Sequence, residues 1–418
     1  MKFAHLSDIH LGFQKHEALQ QIEQQVFEKA LDECITRKVD FILIPGDMFH
    51  VNIPEMRVQK YAFAKFREVH EAGIPVYVVY GSHDFSPVSN SVIDLLAEVK
   101  FITKVTKAQS NEDGTITLDF LIDEKTGTKI AGLSGLKVGK DVEWYEKLDR
   151  NPLESEPGFK IFLFHGGIAD MKTDTGMEGD LMPLSLLPKG FSYYAGGHMH
   201  KFNHQSFDGY SHVVYPGTPF AGYHADLEDN ANGQKRGLVL VEFEDDVKSV
   251  EFVEIENGQY EIVEVDANNR KADSINQELL EKTKDIEPSG KIVIIKVAGE
   301  LTSGKTADVN ISPIRESLNE RGALVVNISK NRLTSKEYSI TEAKGADKNE
   351  IETNVFAENI GQLRFEQKNL LGEDGVSLAK KLLQELGQPI LVNEKKNEYI
   401  PRIRDSALAI LGIDKDVT

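Results

Sequence analysis

A chain of 418 residues is too long for one hydrophobic core of ordinary size, so we expect two or three domains. Its 40% hydrophobic residues argue against long disorder, and the net charge of −19 argues against an evenly basic surface. The single cysteine, Cys34, excludes an internal disulfide or a thiolate metal site and favours a reducing, cytoplasmic setting. The N-terminal residues lack the features of a signal peptide, and no window is apolar enough for a membrane span.

Predicted strands alternate with predicted helices through the first 256 residues. The helices are expected over 17–37, 55–72 and 91–99. The strands are expected at 2–7, 41–44, 76–80, 115–122, 130–133, 161–164, 193–195, 212–215, 238–243 and 250–255. This alternation predicts an α/β core whose sheets are covered by helices.

The pattern changes near residue 257. Residues 274–328 predict a helix, a strand over 292–297, a helix over 313–318 and a strand over 324–328, which is enough for a small α/β domain. Residues 329–350 are polar and predict a linker. Apolar residues at helical spacing over 378–386 and over 403–411 predict two C-terminal helices. The predicted regions are therefore 1–256, 257–340 and 341–418.

Polar residues follow five of the predicted strands in the first 200 residues. The five sequences are Asp8-Ile9-His10, Gly46-Asp47, Gly81-Ser82-His83-Asp84, His165-Gly166-Gly167 and Gly197-His198-Met199-His200. In an α/β fold such strand ends meet at one edge of the sheets, where functional sites form. A spacing of two along an extended segment puts Asp8 and His10 on one face, and likewise His198 and His200. The sequence therefore predicts a cluster of five histidines and three carboxylates.

Carboxylate and imidazole together suit manganese, iron or zinc. Two metal ions roughly 3.5–4 Å apart would activate a water molecule and stabilise both oxygens of an in-line phosphoryl displacement. A single Asp-x-His sequence is usually ordinary loop chemistry, and His198 with His200 could be a surface pair. Five such strand ends in one chain indicate a metal site.

The motifs DIHLG, GDMFH, GSHD, HGG and GHMH, in this order, resemble those of calcineurin-like metallophosphoesterases. The longer matches FAHLSDIHLG, FILIPGDMFH and VVYPGT resemble one branch, the SbcD/Mre nucleases of DNA double-strand-break repair. The resemblance is specific over residues 1–220 and weaker beyond. It implies a metallophosphoesterase β-sandwich flanked by helices, a small α/β capping domain that positions DNA, and a helical C-terminal tail.

The resemblance also implies a function. It predicts an exo- and endonuclease that uses two divalent metal ions, with manganese as the expected metal. The expected partners are DNA, an SMC-like coiled-coil ATPase of the SbcC/Rad type, on which the tail docks, and a second copy of the chain. The expected location is the cytoplasm, in association with the nucleoid.

Carried over position by position, the resemblance assigns ligands to two metal ions. One ion would be held by Asp8, His10, Asp47 and His200, and Asp47 would bridge to a second ion bound by His165, His198 and the position of Ser82. His83 matches the family's catalytic histidine, which is not a ligand. His50 matches a residue near the DNA backbone, although a solvated loop histidine is the alternative. His5, inside the first strand, is expected to be a hydrogen-bonded core residue.

Ser82 departs from the family pattern, which reads Gly-Asn-His-Asp with the asparagine oxygen as a ligand. A serine hydroxyl is shorter and weaker, so we expect a looser second metal site. Two alternatives stay open: a scaffold subunit that has lost catalysis, and a phosphoesterase for nucleotides or other small molecules. The acidic net charge means that DNA binding needs a local basic surface or a basic partner.

Residues 299–306 satisfy the P-loop pattern G-x-x-x-x-G-K-[ST]. A phosphate-binding P-loop needs a helix that begins at the Lys-Thr pair. The sequence that follows, with Pro313 and several β-branched residues, opposes an immediate helix. We therefore interpret these residues as a turn.

Overall fold

The structure of the protein is a computed structural model that describes residues 1–85, 91–135, 141–171, 181–336, 352–353, 355–357, 360, 370–389, 391 and 396–411. The chain divides into two compact units. The first consists of residues 1–262, 288–294 and 321–327, and the second of residues 263–287, 295–320 and 328–418. Among the helices described, none is long and apolar enough to cross a membrane.

The helices and strands, numbered in chain order, are as follows. The helices are α1 (Glu17–Thr36), α2 (Met56–Glu71), α3 (Val92–Glu98), α4 (Asp141–Lys147), α5 (Asn151–Ser155), α6 (His224–Ala231), α7 (Ala272–Lys284), α8 (Ser312–Glu320), α9 (Gly372–Leu386) and α10 (Lys396–Leu411). The strands are β1 (Lys2–His5), β2 (Phe41–Pro45), β3 (Val76–Val79), β4 (Thr103–Lys104), β5 (Ala108–Ser110), β6 (Ile116–Leu118), β7 (Leu121–Ile122), β8 (Lys129–Leu133), β9 (Lys160–His165), β10 (Gly167–Ile168), β11 (Leu181–Met182), β12 (Tyr193–Gly197), β13 (Asn203–Phe207), β14 (Tyr210–Tyr215), β15 (Gly237–Phe243), β16 (Val247–Glu254), β17 (Tyr260–Asp266), β18 (Ile292–Leu301), β19 (Val325–Ser329) and β20 (Leu333–Ser335).

Two six-stranded sheets form the body of the first unit. The first sheet has the order β16-β15-β1-β2-β3-β4, and its strands β1 to β4 are parallel. The second has the order β13-β14-β12-β9-β8-β7, with parallel pairing from β14 through β12 and β9 to β8. Because β1, β2 and β3 run in one direction, the loops that follow them lie at the same edge of the sheet.

The two sheets pack face to face over one of three hydrophobic clusters. Alternate residues of each strand point to opposite faces, so Phe41 and Leu43 lie between the sheets while Ile42 and Ile44 lie in the cluster beneath the helices. Phe3 stacks on Phe41, with ring centroids 5.1 Å apart, and is fully buried. The helices α1, α2 and α3 cover the outer face of the first sheet, and α4 and α5 cover that of the second. The predicted sandwich flanked by helices is confirmed.

The predicted helices of the first unit are confirmed to within a residue or two. The strand expected over 115–122 is wrong as a single element, because β6 pairs with β5 and β7 pairs with β8. Residues 119 and 120 separate these two short strands. A continuous β-rich sequence cannot reveal that its two halves pair with different partners.

The remaining strands form a four-stranded sheet in the order β17-β18-β19, with β20 parallel to β18. The strand β20 corrects the linker predicted over 329–350, of which residues 337–350 lie outside the described residues. The helix expected over 403–411 is longer and begins at Lys396, with Pro401 inside it. The P-loop-like residues form the end of β18, a bend and the start of a three-residue 3-10 helix (Thr306–Asp308), and the next α-helix begins only at Ser312. A single 3-10 turn is not the α-helix that a P-loop needs at the Lys-Thr pair.

Candidate metal centre

Four of the predicted site residues have a left-handed backbone. The φ angles are 52° at Asp8, 50° at His10, 49° at Asp47 and 97° at His198. Such a conformation costs a residue other than glycine about 1–3 kcal/mol and persists only where the surroundings impose it. These residues follow β1, β2 and β12, so the chain turns sharply where these three strands end. Strain concentrated at one place in this way is typical of a functional site.

The side chains from these strand ends meet in the interior. Ligand atoms of Asp8, His10 and His200 lie within 4.8 Å of one another, and so do those of Asp8, Asp47 and His165. All five side chains are buried. The Nε2 atoms of His10 and His200 are 3.2 Å apart, and the Asp47 carboxylate lies 3.7 Å from His10 and 3.3 Å from His165. Asp47 therefore stands between the two groups, the position expected for a bridging ligand.

The imidazole nitrogens of this cluster fit metal ligation. His165 donates from Nδ1 to the carbonyl oxygen of Pro45 at 2.9 Å, and its buried Nε2 lies 3.3 Å from the Asp47 carboxylate without hydrogen-bond geometry to any described residue. In His200 the Nδ1 atom likewise donates, to Asp226 at 2.8 Å, and the Nε2 atom lies 3.2 Å from Nε2 of His10. A buried ring nitrogen whose hydrogen bond is missing or poorly aligned is costly. A bound cation would satisfy both nitrogens.

The charges of the cluster are strongly coupled. Burial raises the pKa of Asp8 to about 6, against the lowering influence of His165 and His200. Burial would also raise the pKa of Asp47, but His165 and His10 outweigh it and keep this carboxylate ionised. Burial lowers the pKa of His165, yet the negative charge of Asp47 outweighs it and raises this pKa to about 10. Without a metal ion, the protonated ring of His165 therefore places a positive charge beside Asp47. A divalent cation would take the place of this proton, which would be released.

His83 and His50 lie against this cluster. The backbone N–H of His83 donates to Asp47 at 2.8 Å, and its Nδ1 donates to the carbonyl oxygen of His50 at 2.8 Å. The rings of His50 and His83 stack with centroids 4.9 Å apart, and His10 contacts the His83 ring edge-on at 4.9 Å. Because a carbonyl only accepts, Nδ1 is the donor in this bond, and the Nε2 atom points the other way and lies 3.3 Å from the Tyr223 hydroxyl.

His198 and Ser82 reach the cluster differently. The backbone N–H of His198 donates to both oxygens of Asp8, at 2.8 and 3.0 Å, and its ring lies 5.4 Å from that of His165. Among the described residues, the His198 side chain belongs to none of the groups of ligand atoms within 4.8 Å. Ser82 is half-buried and lies between Gly81 and His83, whose amides donate to Asp84 and Asp47. The loop that carries Ser82 is therefore held by two carboxylates of the site.

Several residues support the site although the sequence indicates no individual role for them. The motifs place Asp84 only among the converging carboxylates, yet it is buried and accepts the amides of Met48, Phe49 and Gly81. Burial, reinforced by the charge of Asp47, raises its pKa to about 7. Tyr223, which stacks on His200, lies with Asp226 and Arg236 after the last motif, in a segment without any pattern that points to the site.

His5 behaves as predicted for a core histidine. It is fully buried, its Nδ1 lies 3.0 Å from the Tyr193 hydroxyl, and burial lowers its pKa to about 3.

Residues 1–202 match the family described as calcineurin-like phosphoesterase. The chain carries a calcineurin-like phosphoesterase domain. The matched residues include all five motifs and every ligand atom of the cluster, so the superfamily resemblance drawn from the motifs is confirmed. The domain is that of a metal-dependent phosphoesterase.

Several curated relatives match this chain over more residues than this domain contains, and proteins named DNA double-strand break repair protein Mre11 are among them. The chain is 26% identical to the protein of Sulfolobus acidocaldarius, over 75% of this chain and 79% of that one. It is 28% identical to the protein of Sulfurisphaera tokodaii, over 63% and 65%. It is 24% identical to the protein of Saccharolobus solfataricus, over 94% of this chain and 97% of that one. These names agree with the Mre-type branch indicated by the motifs.

Proposed function

We propose that this chain is a manganese-dependent DNA nuclease that hydrolyses phosphodiesters as an exonuclease and an endonuclease. The observation that carries the proposal is the buried cluster in which the Asp47 carboxylate lies 3.7 Å from Nε2 of His10 and 3.3 Å from Nε2 of His165. DNA as the substrate is supported by the relatives named as DNA double-strand break repair proteins, one of which matches nearly along its whole length.

The proposed ligand sets follow the two halves of the cluster. Asp8, His10, Asp47 and His200 would hold one manganese ion, and Asp47, His165, His198 and Ser82 the other. The bound ions would activate a water molecule and stabilise the charge that develops on the phosphate. The close approach of Asp8, His10 and His200 supports the first set. The second set is supported for Asp47 and His165, while His198 and Ser82 belong to it by resemblance.

The protein's own groups would orient the substrate and manage a proton. His83, anchored at its amide by Asp47 and at Nδ1 by the His50 carbonyl, would direct Nε2 to the phosphate or to the leaving oxygen. His50 would hold the His83 ring by stacking and would lie near the DNA backbone. The five buried ligand side chains lie in surroundings of low dielectric, which would strengthen their interactions with the ions.

The net charge of −19 has to be overcome for DNA to bind. We propose that an SMC-like coiled-coil ATPase of the SbcC/Rad type docks on the C-terminal helices and supplies the basic surface. The capping region would position DNA, and two copies of the chain would act together in the cytoplasm on nucleoid DNA. The metal ions themselves would offset part of the carboxylate charge.

DNA cleavage by the purified full chain with Mn²⁺ tests this proposal, with single-stranded and broken duplex DNA and with or without the ATPase. Asp8→Ala and His83→Ala are expected to abolish cleavage. His204→Ala is the matched control, because His204 pairs with His212 on the surface, outside the cluster.

Three outcomes would decide against the proposal. Cleavage that survives both substitutions would exclude this cluster as the nuclease site. Hydrolysis of nucleotides or bis(p-nitrophenyl) phosphate without cleavage of any DNA would favour the small-molecule phosphoesterase. Metal binding without turnover of any phosphodiester would favour the scaffold subunit.

A further inference from the structure

A buried network of three side chains includes one proposed metal ligand and two residues outside the motifs. It consists of His200, Asp226 and Arg236, with exposed fractions of 6%, 4% and 2%. Asp226 lies in α6, and Arg236 immediately precedes β15. Both follow residue 202, where the match to the phosphoesterase family ends. No motif of the sequence points to either residue.

One carboxylate oxygen of Asp226 organises three neighbours. Its Oδ2 accepts Nδ1–H of His200 at 2.8 Å and the amides of Gly222 and Tyr223, each at 2.9 Å. The bond to Nδ1 fixes the tautomer of His200, so that the Nε2 lone pair faces His10. A carboxylate that orients a metal-ligating histidine through its far nitrogen raises the affinity of the site for its metal.

Arg236 holds Asp226 in this position. Its guanidinium lies 3.2 Å from Oδ1 of Asp226, and Nε donates to the side-chain oxygen of Asn230 at 2.6 Å. It also donates to the carbonyl oxygen of His200, so the same side chain ties the backbone of the histidine to the carboxylate that orients its ring. Such a planar set of donors is a property of arginine that lysine lacks.

The space around this network is closed. A Cβ atom at Gly222 would lie 2.3 Å from Cδ2 of His10 and 2.6 Å from Cε1 of His200. Tyr223 covers the other face of His200, with ring centroids 4.9 Å apart and planes 16° from parallel. The histidine ring therefore has one orientation available to it, and Asp226 sets which nitrogen faces the cluster.

We propose that Asp226, held by Arg236, is a positioning residue that sets His200 for metal binding and confers high affinity on one of the two metal sites. The proposal rests on the metal centre of the proposed function and deepens it. It assigns a role to α6 and the residues up to β15, and it requires no contact of Asp226 with the substrate.

Manganese binding to the metal-free full chain tests the proposal, by calorimetry and by the electron paramagnetic resonance signal of a coupled manganese pair. Asp226→Asn is expected to weaken one of the two sites by about 10–100-fold and to remove the coupled signal at two equivalents of Mn²⁺. Asp226→Glu keeps the negative charge beside Arg236 but moves the carboxylate oxygens, so it should also weaken metal binding at that site. It keeps the test possible if the asparagine variant does not fold.

Asp229→Asn is the matched control, because it removes one carboxylate from the same helix. Asp229 pairs with Lys201 at 3.1 Å and is more exposed, with a side-chain exposed fraction of 34%. Unchanged affinities in the Asp229 variant, with a selective loss in the Asp226 variants, would establish a positional effect rather than an effect of net charge. Equal losses in all variants, or two unchanged sites in both Asp226 variants, would overturn the proposal.

The metal titration separates this inference from the nuclease proposal, because it uses no DNA. In one outcome, the wild type binds two Mn²⁺ ions, the Asp226 variants bind one of them more weakly, and no DNA is cleaved. This result would support the inference and exclude the proposed function. Manganese-dependent DNA cleavage with both Asp226 variants fully able to bind metal would do the reverse.

Discussion

Glu23 is expected to make the stability of the first unit depend on pH. Its carboxylate lies in α1, is 3% exposed, and accepts the amides of Gly12 and Gln14 at 2.8 and 3.2 Å. Burial raises its pKa from an ordinary value of 4.5 to about 7, against the lowering influence of these amides. The folded protein therefore holds the proton more tightly than the unfolded chain does.

The sign and size of the effect follow from this difference. A raised pKa in the folded state contributes stability that is complete below pH 4.5 and is lost as the pH rises to about 7. A difference of about 2.5 pH units (7 minus 4.5) corresponds to at most about 3 kcal/mol in the free energy of unfolding. Glu23→Gln removes the titrating group, so the free energy of unfolding of this variant should not decrease for this reason as the pH rises. Any change in hydrogen bonding caused by the glutamine side chain is independent of pH. It therefore shifts the free energy of unfolding by the same amount at every pH.

Urea unfolding between pH 4.5 and 8 measures the effect, followed by the fluorescence of Trp144, the single tryptophan, which lies in the same unit. A chelator should be present, so that metal binding does not add its own pH dependence. The free energy of unfolding of Glu23→Gln minus that of the wild type should increase by up to about 3 kcal/mol from the lowest to the highest pH of this range. Glu17→Gln, at an exposed position of the same helix, is the control. Curves of wild type and Glu23→Gln that stay parallel at every pH would refute the reasoning.

Three further predictions concern the site and the core. Ser82→Asn should restore an amide ligand and tighten the weaker Mn²⁺ site in a two-site titration, and two equally tight sites in the wild type would contradict it. Gly222→Ala should abolish tight Mn²⁺ binding, because its Cβ would overlap His10 and His200; normal binding would show that the backbone gives way. Phe3→Ala should lower the free energy of unfolding by about 3–5 kcal/mol in urea, since the ring is fully buried against Phe41, and a change below about 1 kcal/mol would show that the cavity collapses.

Much of the phosphoesterase domain could be predicted from local sequence. Helix α1 follows from apolar residues at helical spacing, and β2 from an uninterrupted apolar run between turns. The candidate site was recognisable because each polar group directly follows such a strand, and parallel strands bring their ends to one edge. For the same reason His10, Asp47 and His165 could be expected together although more than 100 residues separate the first from the last.

Tertiary structure alone decided which residues support that cluster. Asp226 and Arg236 stand beside His200 because α6 folds back over the strand ends, and no spacing in the sequence encodes that return. The left-handed backbone at Asp8, His10 and Asp47 likewise has no local signature, since these residue types adopt it only when surrounding contacts offset its cost. Periodicity thus determined the strands and the groups at their ends. The orientation of each imidazole depends on hydrogen bonds between residues distant in the chain, which only the folded molecule brings together.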